Sequence, residues 1–291
     1  MKSAAMTAGA DRARLVVQAP EVETPVLKAL AKLAGAERID AVGRGGGQAF
    51  ALSPVGNADE AMAYCARAAL DYGVVPPGQR LDRVRLLALD MDSTLITIEC
   101  VDELADMLGI KAQVAAITAS AMRGEIDFRE SLTRRVALLA GLPLDALQRV
   151  YDERLLLSPG AEQLLAGMRS IGARSLLVSG GFSFFTERLK ARLGLDYTCS
   201  NTLEVTDGKL TGRLIGSIVD AEAKADCFKR VRAALTANGG LAVAIGDGAN
   251  DLPMLEAADV SIAYHAKPVV RARSTYAIDH CGLDAVLNLF V

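Results

Sequence analysis

The stretch LALDMDSTLITIEC, residues 87–100, places two aspartates directly after an apolar segment. That segment has the composition of a buried strand, so Asp90 and Asp92 are expected at its carboxyl end. Residues two apart in an extended chain point to the same face, where two carboxylates repel each other. Such a pair is tolerated when a cation or a shared proton relieves the repulsion. The stretch therefore predicts a strand end with a functional pair of carboxylates.

The segments that follow extend this strand into a sheet. Short apolar strands alternate with helical patterns, which indicates an α/β fold whose doubly wound parallel sheet is covered on both faces. The predicted strands are residues 84–89, 174–178, 241–245 and 259–263, and the predicted helices are residues 160–171, 183–193 and 221–238. Ligands of such sheets bind beyond the carboxyl ends of the strands. Three of those ends read DMDST, SGG and GDGAND, so the functional site is expected there.

Two segments interrupt the alternation. Residues 100–157 are a largely helical insertion, far longer than an ordinary loop between a strand and a helix. They predict a helical cap over the strand ends. Residues 198–218 predict a β-hairpin, because Asp207-Gly208 is a strong turn signal between alternating segments.

The region before Pro77 has a different pattern of predicted strands and helices. The predicted strands are residues 14–18, 37–42 and 48–52, and the predicted helices are residues 22–34 and 58–73. This βαββα order predicts a small α+β domain over residues 1–80 that ends in the turn-rich VVPPGQR at 74–80. The larger domain then covers residues 81–291.

A glycine-rich stretch, GRGGGQ at 43–48, is tempting as a dinucleotide-binding loop. Gln48 stands where the third glycine belongs, and no helical pattern follows, so that interpretation fails. We interpret the stretch as a glycine-rich hairpin loop.

Composition narrows the classes of function. The 291 residues are 51% hydrophobic, enough for two cores, and a formal net charge of −3 predicts no nucleic-acid partner. No apolar run reaches the roughly 18–20 residues of a membrane span, and no secretory signal or membrane partner is expected. Five scattered cysteines without a CxxC pair predict reduced thiols and a cytoplasmic location. The two histidines lie in no cluster of metal ligands, so a zinc site is not expected.

The carboxylates require a cation. The acids expected to converge at the sheet edge are Asp90, Asp92, Asp247 and Asp251. Oxygen ligands alone favour a hard cation, so Mg²⁺ is the expected cofactor. With the metal bound, one carboxylate can attack phosphorus in an anionic substrate and form an aspartyl-phosphate.

The phosphate itself requires positive and hydrogen-bonding groups. Lys224 would neutralise charge on the transferring oxygens. Ser179, Gly180 and Gly181 would bind the phosphate through a hydroxyl and backbone N–H groups of a turn at a helix N-terminus. Ser179 has neither a GxSxG elbow nor a histidine base, so a serine hydrolase is not expected.

Taken in order, these motifs resemble those of the haloacid dehalogenase-like phosphatase superfamily. The matching motifs are DMDST at 90–94, Ser179 after a strand, Lys224, and GDGAND at 246–251. The resemblance covers residues 83–291. It implies that Asp90 is the nucleophile, and that Asp92 first protonates the leaving oxygen and then deprotonates the attacking water.

The same resemblance implies a ligand set for Mg²⁺. The metal would be held by the Asp90 carboxylate, the backbone carbonyl of Asp92 and the Asp247 carboxylate. Asp251 and Asn250 would organise the surrounding metal and phosphate shell. Asp251 could instead simply cap the helix that follows it.

Residues between the motifs resemble the phosphoserine phosphatase family. The similar stretches are ITIECVDELA at 96–105, MRGEIDFRESLTRRV at 122–136, VSGGF at 178–182 and SNTLEVTDGKLTG at 200–212. The resemblance implies that Glu99 binds a substrate ammonium group and that Arg135 binds its carboxylate, which suits an α-amino acid zwitterion. It also implies that Met122 and Phe128 close over the substrate.

These roles have simpler alternatives. Glu99 could be an ordinary acid of a first helical turn, and Met122 and Phe128 could be plain cap core. Arg134, beside Arg135, could be the ligand, with the other arginine a solvated charge on the helix face.

The function implied by the resemblance is Mg²⁺-dependent hydrolysis of O-phospho-L-serine to L-serine and phosphate, the last step of L-serine biosynthesis. A phosphotransferase that uses an alcohol such as homoserine shares every motif and stays open, as does a non-catalytic binding protein on this fold. The N-terminal domain distantly resembles amino-acid-binding regulatory modules of the ferredoxin-like (ACT-like) type. A packing or homodimerising role is an equal alternative for it.

Overall fold

A computed structural model describes residues 12–291. The first elements are β1 (Arg14–Ala19), α1 (Thr24–Ala34), β2 (Arg38–Ala41), β3 (Gln48–Ser53), α2 (Ala58–Arg67) and β4 (Asp71–Val75). Their strands pair antiparallel in the order β2-β3-β1-β4. This βαββαβ succession is that of the ferredoxin-like motif.

The expectation of a helix over residues 58–73 is wrong at its end. Helix α2 stops at Arg67, the chain turns through Ala69 at φ 53°, and residues 71–75 form strand β4. The physical reason is pairing, because β4 lies antiparallel beside β1 with Gln18 opposite Asp71. The first two residues of VVPPGQR therefore belong to a strand and not to a turn.

The chain continues through the larger α/β region. Its strands are β5 (Val84–Leu89), β6 (Arg174–Phe182), β7 (Tyr197–Thr206), β8 (Lys209–Ile215), β9 (Leu241–Gly246), β10 (Val260–Tyr264) and β11 (Tyr276–Ile278). Its helices are α3 (Cys100–Met107), α4 (Lys111–Met122), α5 (Phe128–Ala137), α6 (Leu144–Glu153), α7 (Ala161–Ser170), α8 (Ser183–Leu193), α9 (Ala221–Thr236), α10 (Leu252–Glu256) and α11 (Pro268–Arg271). The strands and helices expected from the apolar pattern of this region are all present, with small shifts at their ends.

One mixed sheet runs through both regions in the order β2-β3-β1-β4-β11-β10-β9-β5-β6-β7-β8. The six strands from β11 to β7 are parallel, which confirms the expected parallel sheet there. The N-terminal strands join through β4, where Tyr72 lies antiparallel to Ala277 of β11. The division into domains at residue 80 stays a prediction, since the two regions share this sheet.

Strand β5 is buried on both faces because its two sets of alternating residues enter different cores. Leu87 and Leu89 pack in a large cluster on one side of the sheet. Leu86 and Ala88 pack in a second cluster with Phe228 of α9 on the other side. This is why a continuous apolar run, and not an apolar–polar alternation, precedes Asp90.

The insertion between β5 and β6 contributes α3, α4, α5 and α6. Its two connections to the sheet run side by side, joined by an antiparallel bridge between Ile96 and Leu157. Strands β7 and β8 form the expected hairpin, with Asp207 and Gly208 both at positive φ as a type I′ turn requires. Leu210 of β8 exchanges backbone hydrogen bonds with Gly141 and Leu142, which follow α5. The hairpin is therefore attached to the insertion through its backbone.

The glycine-rich stretch at 43–48 is a docking loop between the two regions. The amide of Gly46 donates to the buried carboxylate of Asp284, and the amides of Arg44 and Gly45 donate to Asn288 Oδ1 at 3.2 and 3.1 Å. A Cβ at Gly45 would collide with the backbone of Asp284. Glycine is required here because the two backbones approach closely.

Two expectations from composition can be compared with the structure. No disulfide joins the five cysteines, all of which lie within residues 12–291, and their redox state in the cell stays a prediction. Within residues 12–291, no helix combines the length and apolarity needed to cross a bilayer.

Candidate active site

Asp90 directly follows β5 at the carboxyl edge of the sheet and is 5% exposed. Its Oδ1 accepts hydrogen bonds from the Met91 amide at 2.7 Å and from Lys224 Nζ at 2.8 Å. Lys224 reaches it from the first turn of α9 and also donates to Asp251 Oδ1 at 2.8 Å. One buried ammonium thus holds two buried carboxylates in fixed positions.

Asp92 lies in the tight turn that follows β5, where Ser93 adopts φ 56°. Asp92 Oδ1 accepts a hydrogen bond from the amide of Cys100 at 3.1 Å, at the start of α3. The hydroxyl of Ser93 donates to Glu99 Oε1 at 2.8 Å. The turn and the helix start therefore hold Asp92 and Glu99 close together, although they are seven residues apart.

Asp247 follows β9, the strand beside β5, and Thr94 Oγ1 donates to its Oδ1 at 3.0 Å. Carboxylate oxygens of Asp90, Asp247 and Asp251 all lie within 4.8 Å of one another. Two ligands on opposite sides of Mg²⁺ stand about 4.2 Å apart, since each Mg–O distance is about 2.1 Å. The spacing and the oxygen chemistry both fit Mg²⁺.

Asp251 makes three contacts that orient it. Its Oδ1 accepts from Lys224 and, at 3.5 Å, from Asn250 Nδ2, and its Oδ2 accepts from the Gly248 amide at 3.1 Å. The side chain is fully buried behind Asp90 and does not line the cavity. Its side chain does not cap α10, the helix that follows. A direct metal contact by Asp251 stays a prediction.

Ser179, Gly180 and Gly181 do not form the expected turn. They are the extended last part of β6, which runs to Phe182, and α8 begins only at Ser183. The pairing of β6 with β7 shifts between Val178 and Phe182, so this segment bulges toward the site. Pairing with β7 keeps the chain extended beyond the point at which the apolar run ends.

The bulge brings its backbone into close contact with the carboxylates. The Gly181 amide donates to Ser179 Oγ at 2.8 Å, and a Cβ on Gly181 would stand 2.8 Å from Asp92 Oδ2. A Cβ on Gly180 would stand 3.1 Å from Phe128 Cζ in the insertion. Side chains here would fill the space next to Asp90 and Asp92.

The insertion places Arg135 and Phe128 over the strand ends. Both line the same cavity as Asp90, whereas Arg134 points to solvent and pairs with Glu130 at 2.5 Å. Met122 is 72% exposed and does not line the cavity, so its proposed contact with the substrate stays a prediction.

The cavity has a volume of about 270 Å³ and contains groups that the motifs did not reveal. Asp102, Thr118 and Lys267 line it, together with the apolar side chains of Val101 and Leu132. Asp102 lies one helical turn after Glu99, and that spacing could have identified it. Lys267 follows β10 in a loop without a recognisable motif, so only the structure places it there.

Desolvation dominates the electrostatics of the site. Burial, followed by the charge of Glu99, raises the pKa of Asp92 to about 7. Burial, followed by the charge of Asp251, raises the pKa of Asp247 to about 6. The pKa of Asp90 is also raised by burial and by Asp251, with Lys224 opposing.

The pKa values of the two buried cations, Lys224 and Arg135, shift in opposite directions. Burial alone would lower the pKa of Lys224, but the charges of Asp251 and Asp90 outweigh it and raise that pKa. Lys224 therefore stays an ammonium ion at physiological pH. Burial lowers the pKa of Arg135, and the nearby charges of Asp102 and Glu99 partly offset this.

Comparison with known proteins agrees with the family that the motifs indicate. The family model described as haloacid dehalogenase-like hydrolase matches residues 87–256. A phosphoserine phosphatase from Polaromonas sp. is 52% identical over 225 residues, which cover 76% of this chain and 95% of that protein. The chain belongs to the phosphoserine phosphatase family of haloacid dehalogenase-like hydrolases. The family resemblance inferred from the sequence is confirmed.

Solved structures extend the comparison with this family. A haloacid dehalogenase (HAD) family hydrolase from Salmonella enterica serovar Typhi is 34% identical with a TM-score of 0.85, covering 95% of this chain and 98% of its own. A phospho-aspartyl intermediate analogue of a phosphoserine phosphatase is 34% identical with a TM-score of 0.66, covering 72% of this chain and 100% of its own. Because the Salmonella structure covers 95% of this chain, it shares the fold of the N-terminal region as well. A second family model, a domain of unknown function, matches residues 15–61, and the role of this region stays a prediction.

Proposed function

We propose that this chain hydrolyses O-phospho-L-serine to L-serine and inorganic phosphate, in the last step of serine synthesis. The observation that carries the proposal is the composition of one cavity. Its phosphoryl half, at the sheet edge, consists of Asp90, Asp92, Gly180, Gly181, Lys224, Asp247 and Asn250. Ser179 is fully buried next to this lining, where its Oγ accepts a hydrogen bond from the Gly181 amide, and its contact with the phosphate stays a prediction. The amino-acid half of the cavity, on the linker and insertion, consists of Glu99, Asp102 and Arg135 with the apolar wall of Val101, Phe128 and Leu132. A phosphate joined to an α-amino acid matches both halves at once.

The amino-acid half would bind the zwitterion by charge. Glu99 faces the cavity with one oxygen occupied by Ser93, which leaves the other free for a substrate ammonium group. The guanidinium of Arg135 can pair a carboxylate with two parallel hydrogen bonds. The names of the relatives support phosphoserine as the substrate.

Mg²⁺ would be held by the carboxylates of Asp90 and Asp247 and by the backbone carbonyl of Asp92, with Asp251 in support. When bound, the ion would act as a Lewis acid toward a phosphoryl oxygen. The chain's own groups carry the proton and the phosphoryl group. A carboxylate oxygen of Asp90 attacks phosphorus, the bond from phosphorus to the serine oxygen breaks, and the carboxyl group of Asp92 donates its proton to that oxygen. The product of this step is an aspartyl-phosphate on Asp90.

The second half-reaction reverses the role of Asp92. Its carboxylate takes a proton from water, the water oxygen attacks phosphorus, and the bond from phosphorus to Asp90 breaks. A pKa of about 7 suits both roles, because the acid and base forms are then both populated near neutral pH. The structural relative described as a phospho-aspartyl intermediate analogue supports this route.

A panel of phosphomonoesters tests the proposal. Phosphate release should be fastest from O-phospho-L-serine, slower from phosphoethanolamine and phosphoglycolate, which each lack one charged group, and slowest from p-nitrophenyl phosphate. A chelator should remove the activity and Mg²⁺ should restore it, while Asp90→Asn should have none. Equal rates on all four esters would contradict the specificity, and faster transfer to homoserine than to water would make the enzyme a phosphotransferase.

A further inference from the structure

Lys267 is a charged residue of the cavity that the proposed mechanism does not use. It lies in the loop between β10 and α11, and its backbone amide donates to the carbonyl of Asp247 at 3.3 Å. Its side chain is exposed and lines the cavity beside Asp247, Gly248 and Asn250. The ammonium group therefore stands at the mouth of the phosphoryl half.

The three cations that line the cavity are engaged differently. Lys224 is fully committed to Asp90 and Asp251. Arg135 stands in the amino-acid half, where the charges of Asp102 and Glu99 partly offset the effect of burial on its pKa. Lys267 has no carboxylate within ion-pair distance among residues 12–291, although Arg271 on the same loop and helix pairs with Asp279 at 2.9 Å.

The charges that line the cavity indicate what Lys267 could do there. Its lining contains five carboxyl side chains against three cations, and the acids are Asp90, Asp92, Glu99, Asp102 and Asp247. Bound Mg²⁺ would bring this lining close to neutral, so the cavity has no net charge that attracts a phosphate group carrying close to two negative charges at neutral pH. An exposed ammonium group at the mouth supplies a local attraction and raises the rate of encounter.

We propose that Lys267 recruits the phosphate group, contacting the phosphoryl oxygens of the incoming ester and of the departing inorganic phosphate. This assignment deepens the proposed function and rests on it for the nature of the ester. Because Lys267 lies in the phosphoryl half, its contribution is the same for every phosphomonoester, in contrast to that of Arg135. Because it is exposed, its contribution is screened by salt.

Lys267→Met keeps the length of the side chain and removes its charge, and Lys28→Met on the exposed face of α1 is the matched control for net charge. Steady-state kinetics would be measured at about 0.01 M and about 1 M ionic strength, where the Debye length is about 30 and 3 Å. We expect Lys267→Met to lower kcat/KM roughly tenfold at low salt, within the range known for electrostatic steering, and much less at high salt. The kcat should change little, the loss should be equal for O-phospho-L-serine and p-nitrophenyl phosphate, and Lys267→Arg should restore the rate.

Binding of inorganic phosphate, measured by calorimetry, gives a readout that does not depend on turnover. Lys267→Met should weaken that binding at low salt, whereas Lys28→Met should not. If Lys267→Met and Lys28→Met behave alike in both experiments, the assignment is wrong, and a salt-independent loss confined to kcat would equally overturn it. If the wild-type protein prefers another phosphomonoester to phosphoserine, the proposed substrate fails while the Lys267 comparison still stands on that ester.

Discussion

At the scale of single residues, Asp90, Lys224 and Asp251 form a buried charged group whose burial lowers the stability of the fold. Lys224 is 1% exposed and bonds both carboxylates at 2.8 Å. Two carboxylates and one ammonium leave an excess negative charge in a desolvated position, which ordinarily destabilises a fold. A divalent cation at Asp90 and Asp247 would neutralise that excess charge. Binding of a metal ion would therefore stabilise the folded protein, and the buried negative charge strengthens that binding.

Asp92→Asn should abolish turnover yet stabilise the fold above pH 7. Folding raises the pKa of Asp92 to about 7, whereas an unfolded aspartate titrates near about 3.9. A carboxyl group whose pKa is raised by folding stabilises the fold at low pH, and that stabilisation is lost as the pH rises through about 4 to about 7. Asparagine avoids this loss and can still accept the hydrogen bond from Cys100. We expect a gain on the order of 2–4 kcal/mol at pH 8, at about 1.4 kcal/mol per pKa unit.

The gain would be measured as a rise in Tm in the presence of a chelator, at pH 5 and at pH 8. Asp226→Asn is the matched control, because that side chain is 78% exposed. A difference in Tm between Asp92→Asn and the wild type that is the same at both pH values would refute the explanation.

Arg135→Ala should impair only substrates that carry a carboxylate. Loss of a charge-assisted contact costs about 1.5–3 kcal/mol, which corresponds to roughly ten- to a hundredfold in kcat/KM. O-phospho-L-serine should show that loss, and p-nitrophenyl phosphate should show almost none. Arg134→Ala is the matched control, since Arg134 lies on the solvent side of α5 and pairs with Glu130. Equal losses on both esters would make Arg135 a structural residue.

At the scale of secondary structure elements, the hairpin of β7 and β8 determines where the insertion sits. Backbone hydrogen bonds join Leu210 to Gly141 and Leu142, and Leu144 to Gly208. Gly212 of β8, at φ 81°, approaches the end of α5 so closely that a Cβ would stand 2.9 Å from Ala140 Cβ and 3.1 Å from the Ala137 carbonyl oxygen. Helix α5 carries Arg135, so the hairpin sets the height of the amino-acid half above the sheet.

Gly212→Ala should therefore displace α5 and weaken substrate binding. Gly216→Ala is its control, because Gly216 has a similar φ of 80° but a methyl group added there would meet no atom within 4 Å. Both substitutions carry the strain of a positive φ, about 1 kcal/mol or more. The additional fall in Tm of Gly212→Ala, together with a higher KM for O-phospho-L-serine, measures the crowding against α5. If the two variants have the same Tm and KM, the close approach has no energetic consequence.

At the scale of the whole molecule, the N-terminal region is attached through the shared sheet and the glycine-rich docking loop. Asp284, which accepts from Gly46, also lies against Gly160, the residue that precedes α7 on the return from the insertion. The docking loop thus contacts the larger region close to the base of the insertion. The N-terminal region therefore contacts the part of the larger region from which the insertion emerges over the candidate active site.

Asp284→Ala should loosen that attachment. It removes the carboxylate that accepts from the amide of Gly46, an exposed residue, and a hydrogen bond to a charged group contributes about 1.5–3 kcal/mol. Differential scanning calorimetry should show a lower Tm or a separate early transition for the N-terminal region, with Asp226→Ala as the exposed control. An unchanged transition would mean that the shared sheet alone holds the two regions together.

The local patterns of the chain were sufficient to predict most elements of the α/β region and the acids and lysine of its site. Strand β4 was missed because Asp71 and Gly73 are poor strand formers, and its pairing with β1 and β11 compensates only in the folded protein. The turn expected at Ser179 was wrong for a similar reason, since pairing with β7 extends β6 to Phe182. Pairing between strands distant in the chain has no local signature.

The sequence by itself was enough to bring Asp90, Asp92 and Asp247 to one candidate site, because they follow closely after buried strands and a parallel sheet brings such strand ends together. Lys224 lies on helix α9, and the sequence indicated it through the order of the motifs. Only the tertiary structure decided which side chains of the insertion and of the loop after β10 reach that site. Arg135 rather than Arg134 lines the cavity, Lys267 joins it, and Met122 lies outside it. The physical reason is that these positions depend on how helices and loops pack against the sheet, which is set by many weak contacts and by no single motif.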